Sequence, residues 1–170
     1  DLFVTLGARS RLEGGKALDT RWHAETSWYW TTSTHTLLHL RAAHDAGQRL
    51  DLDHYFELGG DSGLRGYPLR YQIGTRRTML KLEERVYTEW SLWRLLDIGG
   101  AAFFDIGRVD GPNPLGAPRL GWLKDVGVGL RLGNSRSSLG NVIHIDLAAP
   151  LGAASGISRL QFLVGTEATF

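Results

Sequence analysis

Histidines, one serine and a set of carboxylates are the groups in this chain that could do chemistry, because it contains no cysteine. That absence excludes a thiolate nucleophile, a disulfide framework and a thiolate zinc site. Gly60-Asp61-Ser62-Gly63 has the form of a nucleophilic-serine tetrapeptide, and Ala42-Ala43-His44 that of a general-base segment. A serine works only when a base is held within hydrogen-bond reach of it. Only 18 positions separate His44 from Ser62, too few for the two-barrel scaffold that joins such segments, and Leu64 stands where a glycine is expected. His35 and His39 are four apart, but on a strand that puts them about 13 Å apart, too far to share an ion. Gly127-x-Gly129-x-x-x-Gly133 misses the G-x-G-x-x-G spacing of a phosphate loop. Glu25 or Glu89 with Asp105 would make a carboxylate pair, yet no second motif accompanies them, and lumen charge explains them better. The expectation is a protein that is not an enzyme, with no catalytic residue, metal or cofactor.

The elements that must position these residues repeat with a period of two. Trp22, Ala24, Thr26, Trp28 and Trp30 alternate with Arg21, His23, Glu25, Ser27 and Tyr29; Leu80, Leu82, Val86 and Trp90 alternate with Lys81, Glu83, Arg85 and Glu89. Only Glu84 breaks that second apolar face. Such alternation is the signature of amphipathic strands. It recurs over eight segments, at about 2–13, 17–31, 34–46, 76–90, 97–109, 121–133, 139–149 and 158–170. Most exceed the ~5–6 residues of strands in soluble sheets, and a membrane-crossing strand needs ~9–11. Short turns alternate with longer links, as in outer-membrane barrels. Trp28, Trp30, Trp90 and Trp93 fall near the short-turn ends, where an interfacial aromatic girdle belongs, and Trp122 lies by a long-loop end. Composition agrees. The net charge is +1 with 22% charged residues, which excludes a nucleic-acid-binding basic surface and a disordered chain. No run nears the ~18 apolar residues of a spanning helix. A soluble barrel of the lipocalin kind is the alternative, with the charged face turned to water.

One link does not read as a plain loop. Over residues 55–75 it contains Phe56-Glu57-Leu58-Gly59-Gly60 and Leu64-Arg65-Gly66-Tyr67, with glycines for a tight backbone and one cation beside an aromatic. Phe103-Phe104-Asp105-Ile106-Gly107 follows on a strand, Glu83-x-Arg85 lies between, and Phe170 is the last residue. In combination these segments resemble the BamA-type superfamily of outer-membrane barrels, which includes insertases, two-partner-secretion transporters, surface antigens and import barrels. The likeness runs from about residue 34 onward and rests on the F-x-L-G-G…R-G-[F/Y] loop and the F-x-D-x-G strand. It implies a bacterial outer-membrane protein whose loop folds into the lumen, with Arg65 contacting Asp105 on the wall. Glu83 is a second candidate partner and Asp146 a third. It further implies that Phe56, Gly59, Gly60, Gly66 and Tyr67 shape the loop, and that Phe103 and Gly107 belong to the wall. Phe170 would end a targeting strand read by the assembly machinery. Asp105 shares its face with Gly99, Ala101 and Gly107, so the wall there is low enough for something to lie against it.

Fold class is therefore expected to be all-β: a single domain, 1–170, forming an antiparallel transmembrane β-barrel meander of eight strands. A closed eight-stranded barrel is just filled by its own side chains, leaving no room for the loop. The resemblance implies about sixteen strands, so the chain corresponds to the C-terminal half. The absence of Met at position 1 and of a signal peptide leads to the expectation of a mature chain or a fragment. The other half is expected from a missing N-terminal half-barrel or from a second copy, a homodimer, through edge strands 2–12 and 160–170; closure of the chain on itself with the loop outside ranks below both. The partners are the lipid bilayer and an unfolded polypeptide client to be translocated or inserted; no nucleic acid is among them. The alternative function is a structural or small-solute barrel, or a membrane anchor for an upstream domain.

Overall fold

A computed structural model describes residues 1–92, 96–114, 116, 119–134, 141–152 and 156–168. Eight long strands build one sheet: β1 (Leu2–Glu13), β2 (Lys16–Ser33), β3 (Thr36–Gln48), β6 (Arg76–Leu92), β7 (Leu96–Asp110), β8 (Leu123–Asn134), β9 (Asn141–Leu151) and β10 (Gln161–Ala168). Two short strands, β4 (Phe56–Leu58) and β5 (Gln72–Gly74), form a separate ribbon within the link between β3 and β6. The long strands follow one another in chain order, each antiparallel to the next, so the sheet is a meander. It is open: β1 and β10 are its two edges and do not pair with each other. No helix is long and apolar enough to cross a membrane, which says nothing of strands.

β2, β6 and β7 run further than the sequence reading placed them, β3 is shifted two residues on, and β8 and β10 start two and three residues later than expected. Between β2 and β3 the turn is Thr34-His35, with Ser33 opposite Thr36, rather than the 32–33 link left between the expected strands 17–31 and 34–46. Thr32, Ser33 and Thr36 bond to one another through their hydroxyls, which keeps these polar residues in the ladder. Gly14 and Gly15 join β1 to β2 with φ of 55° and 74°; positive φ at both positions makes a hairpin turn whose twist matches the strands.

Register sorts the side chains into two unlike faces. One row reads Trp28, Leu40, Leu82, Phe104, Val126, Ala149 across β2 to β9, and the next reads Leu38, Glu84, Ala102, Val128, Leu147, Phe162 across β3 to β10. This face is apolar and bare: Val128 is 59% exposed, Leu130 50% and Val164 63%. Glu84 takes a hydrogen bond from Thr32 at 3.0 Å. The opposite face reads Arg41, Lys81, Asp105, Asp125 and, one step on, His39, Glu83, Phe103, Gly127. The 49–75 link folds onto this charged face. Leu58, Leu64 and Tyr67 of the link are buried against Ala43, Met79, Val109 and Leu123 of the sheet, so the hydrophobic core lies between link and sheet.

Candidate functional site

The link reaches the sheet because its backbone bends where only glycine bends easily. Gly59 has φ of 127°, and a side chain there would run into the Pro68 carbonyl. Gly60 then donates its N–H to the carbonyls of Leu64, at 2.8 Å, and Tyr67, at 2.9 Å, closing the segment into a compact hook. Phe56 lies in β4 opposite Gly74, at the base of the hook. At the tip, Gly66 touches the wall itself: a Cβ there would lie 2.5 Å from Asp125 Cβ and 3.0 Å from the Pro150 nitrogen. The hook sits this close because residue 66 has no side chain.

Arg65, at that tip, is almost wholly buried. It donates Nε to Asp105 Oδ2 at 2.8 Å and Nη2 to Asp105 Oδ1 at 3.0 Å, a two-point contact. Its Nη1 donates to Glu83 Oε2 at 2.6 Å and Asp146 Oδ2 at 3.1 Å. All three candidate carboxylates thus converge on one guanidinium. Phe103 adds a flat platform, with Arg65 Cζ 3.3 Å from the ring centroid. An arginine fits this role because its planar fork matches a carboxylate and stacks on an aromatic at the same time. Burial opposes the charge of Arg65, but hydrogen bonding to Asp105 and attraction to Asp105 and Glu83 outweigh it and hold its pKa above the ordinary value. The group stays cationic at any working pH.

Two further arginines complete the cluster. Arg131 donates Nε and Nη2 to the two oxygens of Glu83, at 3.1 and 2.8 Å, and Nη1 to Asp146. Arg85 donates Nε to Glu83 at 2.8 Å. Sequence reasoning missed Arg131. Its only signal was membership of the charged face, shared with many residues; Glu83 and Asp146 meet it diagonally across strands, which alternation does not reveal. The wall is kept low around this cluster. A Cβ at Gly127 would strike the Phe103 ring, one at Gly129 would meet Asp146 and Arg131, and one at Gly107 would press on Leu58 at 3.0 Å.

Two other contacts pin the hook. Tyr67 donates its hydroxyl to the carbonyl of Lys124 at 3.1 Å. Burial pushes its phenol pKa up, and the bond to the Lys124 carbonyl tempers that rise. Arg77, also unanticipated, donates Nη1 to the carbonyls of Glu57, at 2.9 Å, and Ser62, at 3.2 Å. Its Nε bonds Asp45 at 2.9 Å, and Asp45 in turn holds His23 Nδ1 at 2.7 Å.

The residues with apparent catalytic spacing are not brought together. His44 is exposed on the bare face and bonds Thr78 Oγ1 at 2.9 Å, whereas Ser62 belongs to the hook on the other face. His39 stacks on Tyr29 with ring centroids 4.1 Å apart, and His35 lies in the β2–β3 turn. Glu25 pairs with Arg41 at 2.7 Å. Asp19, Asp51 and His54 bring three possible ligand atoms within 4.8 Å of one another. Arg21 and Arg11 already lie on those two carboxylates. Phe170 and Trp93 lie outside the described residues.

What this arrangement can do is hold a loop. Three guanidiniums, three carboxylates and an aromatic ring fix the tip of a long link to the charged face of an open sheet. Comparison with family models, with curated proteins and with solved structures finds no match to this chain.

Proposed function

We propose that the chain is half of an outer-membrane β-barrel that translocates or inserts polypeptide, with the Arg65 hook as its lumen latch. The observation that carries the reading is the inversion of the sheet: its apolar face is bare while its charged face is partly covered by the link and laced with ion pairs. A soluble sheet buries the apolar face; a barrel in lipid turns it outward and keeps polar residues inside. Trp28 and Trp30, stacked at 5.9 Å, lie toward one end of the bare face, and Trp22 lies toward the other. About 20 Å of strand separates Trp22 from Trp28, close to the ~25 Å height of an apolar band between aromatic girdles. The R-G-Y hook and the F-x-D-x-G strand resemble the BamA-type barrels, and the contact between Arg65 and Asp105 is the one that resemblance implies.

Translocation by such a barrel involves no covalent step. The hook holds the lumen in one state, and the unpaired edges β1 and β10 offer backbone groups to another strand. A second copy or an N-terminal half-barrel supplies the remaining strands. The test is reconstitution in liposomes with an unfolded client barrel, scored by protease protection of the client. Client insertion or passage that falls when Arg65 is changed to Ala supports the reading. Steady single-channel conductance of small ions with no client movement would replace it with a small-solute barrel.

A further inference from the structure

Beside the Arg65 cluster the charged face contains a cavity of about 60 Å³, lined by His39, Arg41, Arg65, Lys81, Glu83 and Arg85. That is several times the ~10–15 Å³ needed by one water, enough for a small ion. The lining is one-sided. Four of its six residues are arginine or lysine and only Glu83 is acidic, and Glu83 is already taken by Arg65, Arg85 and Arg131. Arg41 and Lys81 stand directly opposite each other across β3 and β6, an arrangement of like charges that destabilises a sheet unless something lies between them. Arg41 spends Nη2 on Glu25, while its buried Nε has no hydrogen-bond partner. Lys81 makes no hydrogen bond or ion pair among the described residues. The nearest carboxylate on its row, that of Asp105 opposite it, is held at both oxygens by Arg65.

We propose that this cavity is a binding site for one free tetrahedral oxyanion, phosphate or sulfate, which bridges Arg41 and Lys81 beside the hook. Its oxygens accept from the idle Nε of Arg41 and from the Lys81 ammonium, the donors that the protein itself leaves unused. The cavity opens on the charged face, away from the apolar one, so the ion comes from solution and not from a lipid headgroup. The site stands whether or not the barrel carries polypeptide. Because Arg65 lines the same cavity, an occupied site also steadies the hook.

The test is calorimetric titration of the full chain in detergent micelles with inorganic phosphate, at ionic strength held constant with chloride. Saturable binding of one phosphate per chain is expected, with sulfate competing. Arg41→Gln and Lys81→Gln should each weaken binding about tenfold or more, as loss of a charge-assisted hydrogen bond implies, and Lys81→Arg should retain it. Arg41 is only half-buried, so its variant reports on binding even where Lys81→Gln fails to fold. Non-saturable uptake, an equal response to chloride, or unchanged affinity in Arg41→Gln overturns the proposal. So does tighter binding of dihexanoyl phosphatidylglycerol, given below its micellar concentration, which would assign the site to a headgroup.

Discussion

Arg65 concentrates the energetics of the hook in one side chain. Removing one partner of a buried ion cluster leaves uncompensated charge, at a cost of about 3–5 kcal/mol. Arg65→Ala strands Asp105 and deprives Glu83 and Asp146 of a donor, so the hook should come loose. Arg70, exposed in the same link, is then a trypsin site, and cleavage after it should accelerate at least tenfold over the parent chain. A double-mutant cycle of Arg65→Ala with Asp105→Ala should show coupling of about 0.5–3 kcal/mol; simple additivity would remove the pairing as the source of the effect. Gly66→Ala tests the same seat from the backbone side. Its methyl group meets Asp125 and the Ala149–Pro150 backbone, so urea unfolding should show a loss of about 1–3 kcal/mol, the usual range for overpacking. Arg65, Asp105 and Glu83 were legible from residue type and motif. Arg131 and Arg77 were not, because a strand sequence says which face a charge is on and not which neighbour it meets.

At the level of the strand, the alternation carries a physical demand that depends on the solvent. An exposed valine changed to arginine in a water-facing sheet is nearly neutral. On a lipid face near mid-height the same change costs about 2–4 kcal/mol. Val128, in the middle of the bare face of β8, is the discriminating position, and Thr5, on the charged face of β1 opposite Glu25, is the control. Folding titrations into liposomes should show Val128→Arg destabilised by that amount and Thr5→Arg close to the parent. Equal tolerance at both sites would mean that water, not lipid, covers the bare face. The eight long strands and their faces were readable, since side chains alternate in the absence of a bulge; the short β4–β5 ribbon inside the link and the register shifts at Arg9–Arg11 and Tyr87–Ser91 were not. Strand ends were less so: Thr32, Ser33 and Thr36 look like turn residues, yet their hydroxyls bond within the ladder.

For the molecule as a whole, the open sheet sets the problem. An even number of antiparallel strands leaves β1 and β10 running in opposite directions, so β1 of one copy can pair antiparallel with β10 of another. Two such seams related by a two-fold axis close sixteen strands, wide enough to hold the hooks that eight strands would exclude. The chain has no cysteine, so Leu6→Cys with Val164→Cys reports the edges cleanly. Oxidation in detergent should give a linked species of twice the 18.8 kDa chain mass. A monomer with the bond inside one chain would mean that the sheet closes on itself.

The sequence by itself determined the eight long strands, their two faces and the glycines that let the link bend tightly, because period-two alternation and glycine's tolerance of positive φ are local properties of the chain. Only the tertiary structure decided the rest. Which carboxylates share Arg65, that Phe103 lies beneath it and that Gly127 makes room for that ring all depend on inter-strand register. So does the placing of Arg41 directly opposite Lys81. Register is set by every strand at once, and no single segment contains it.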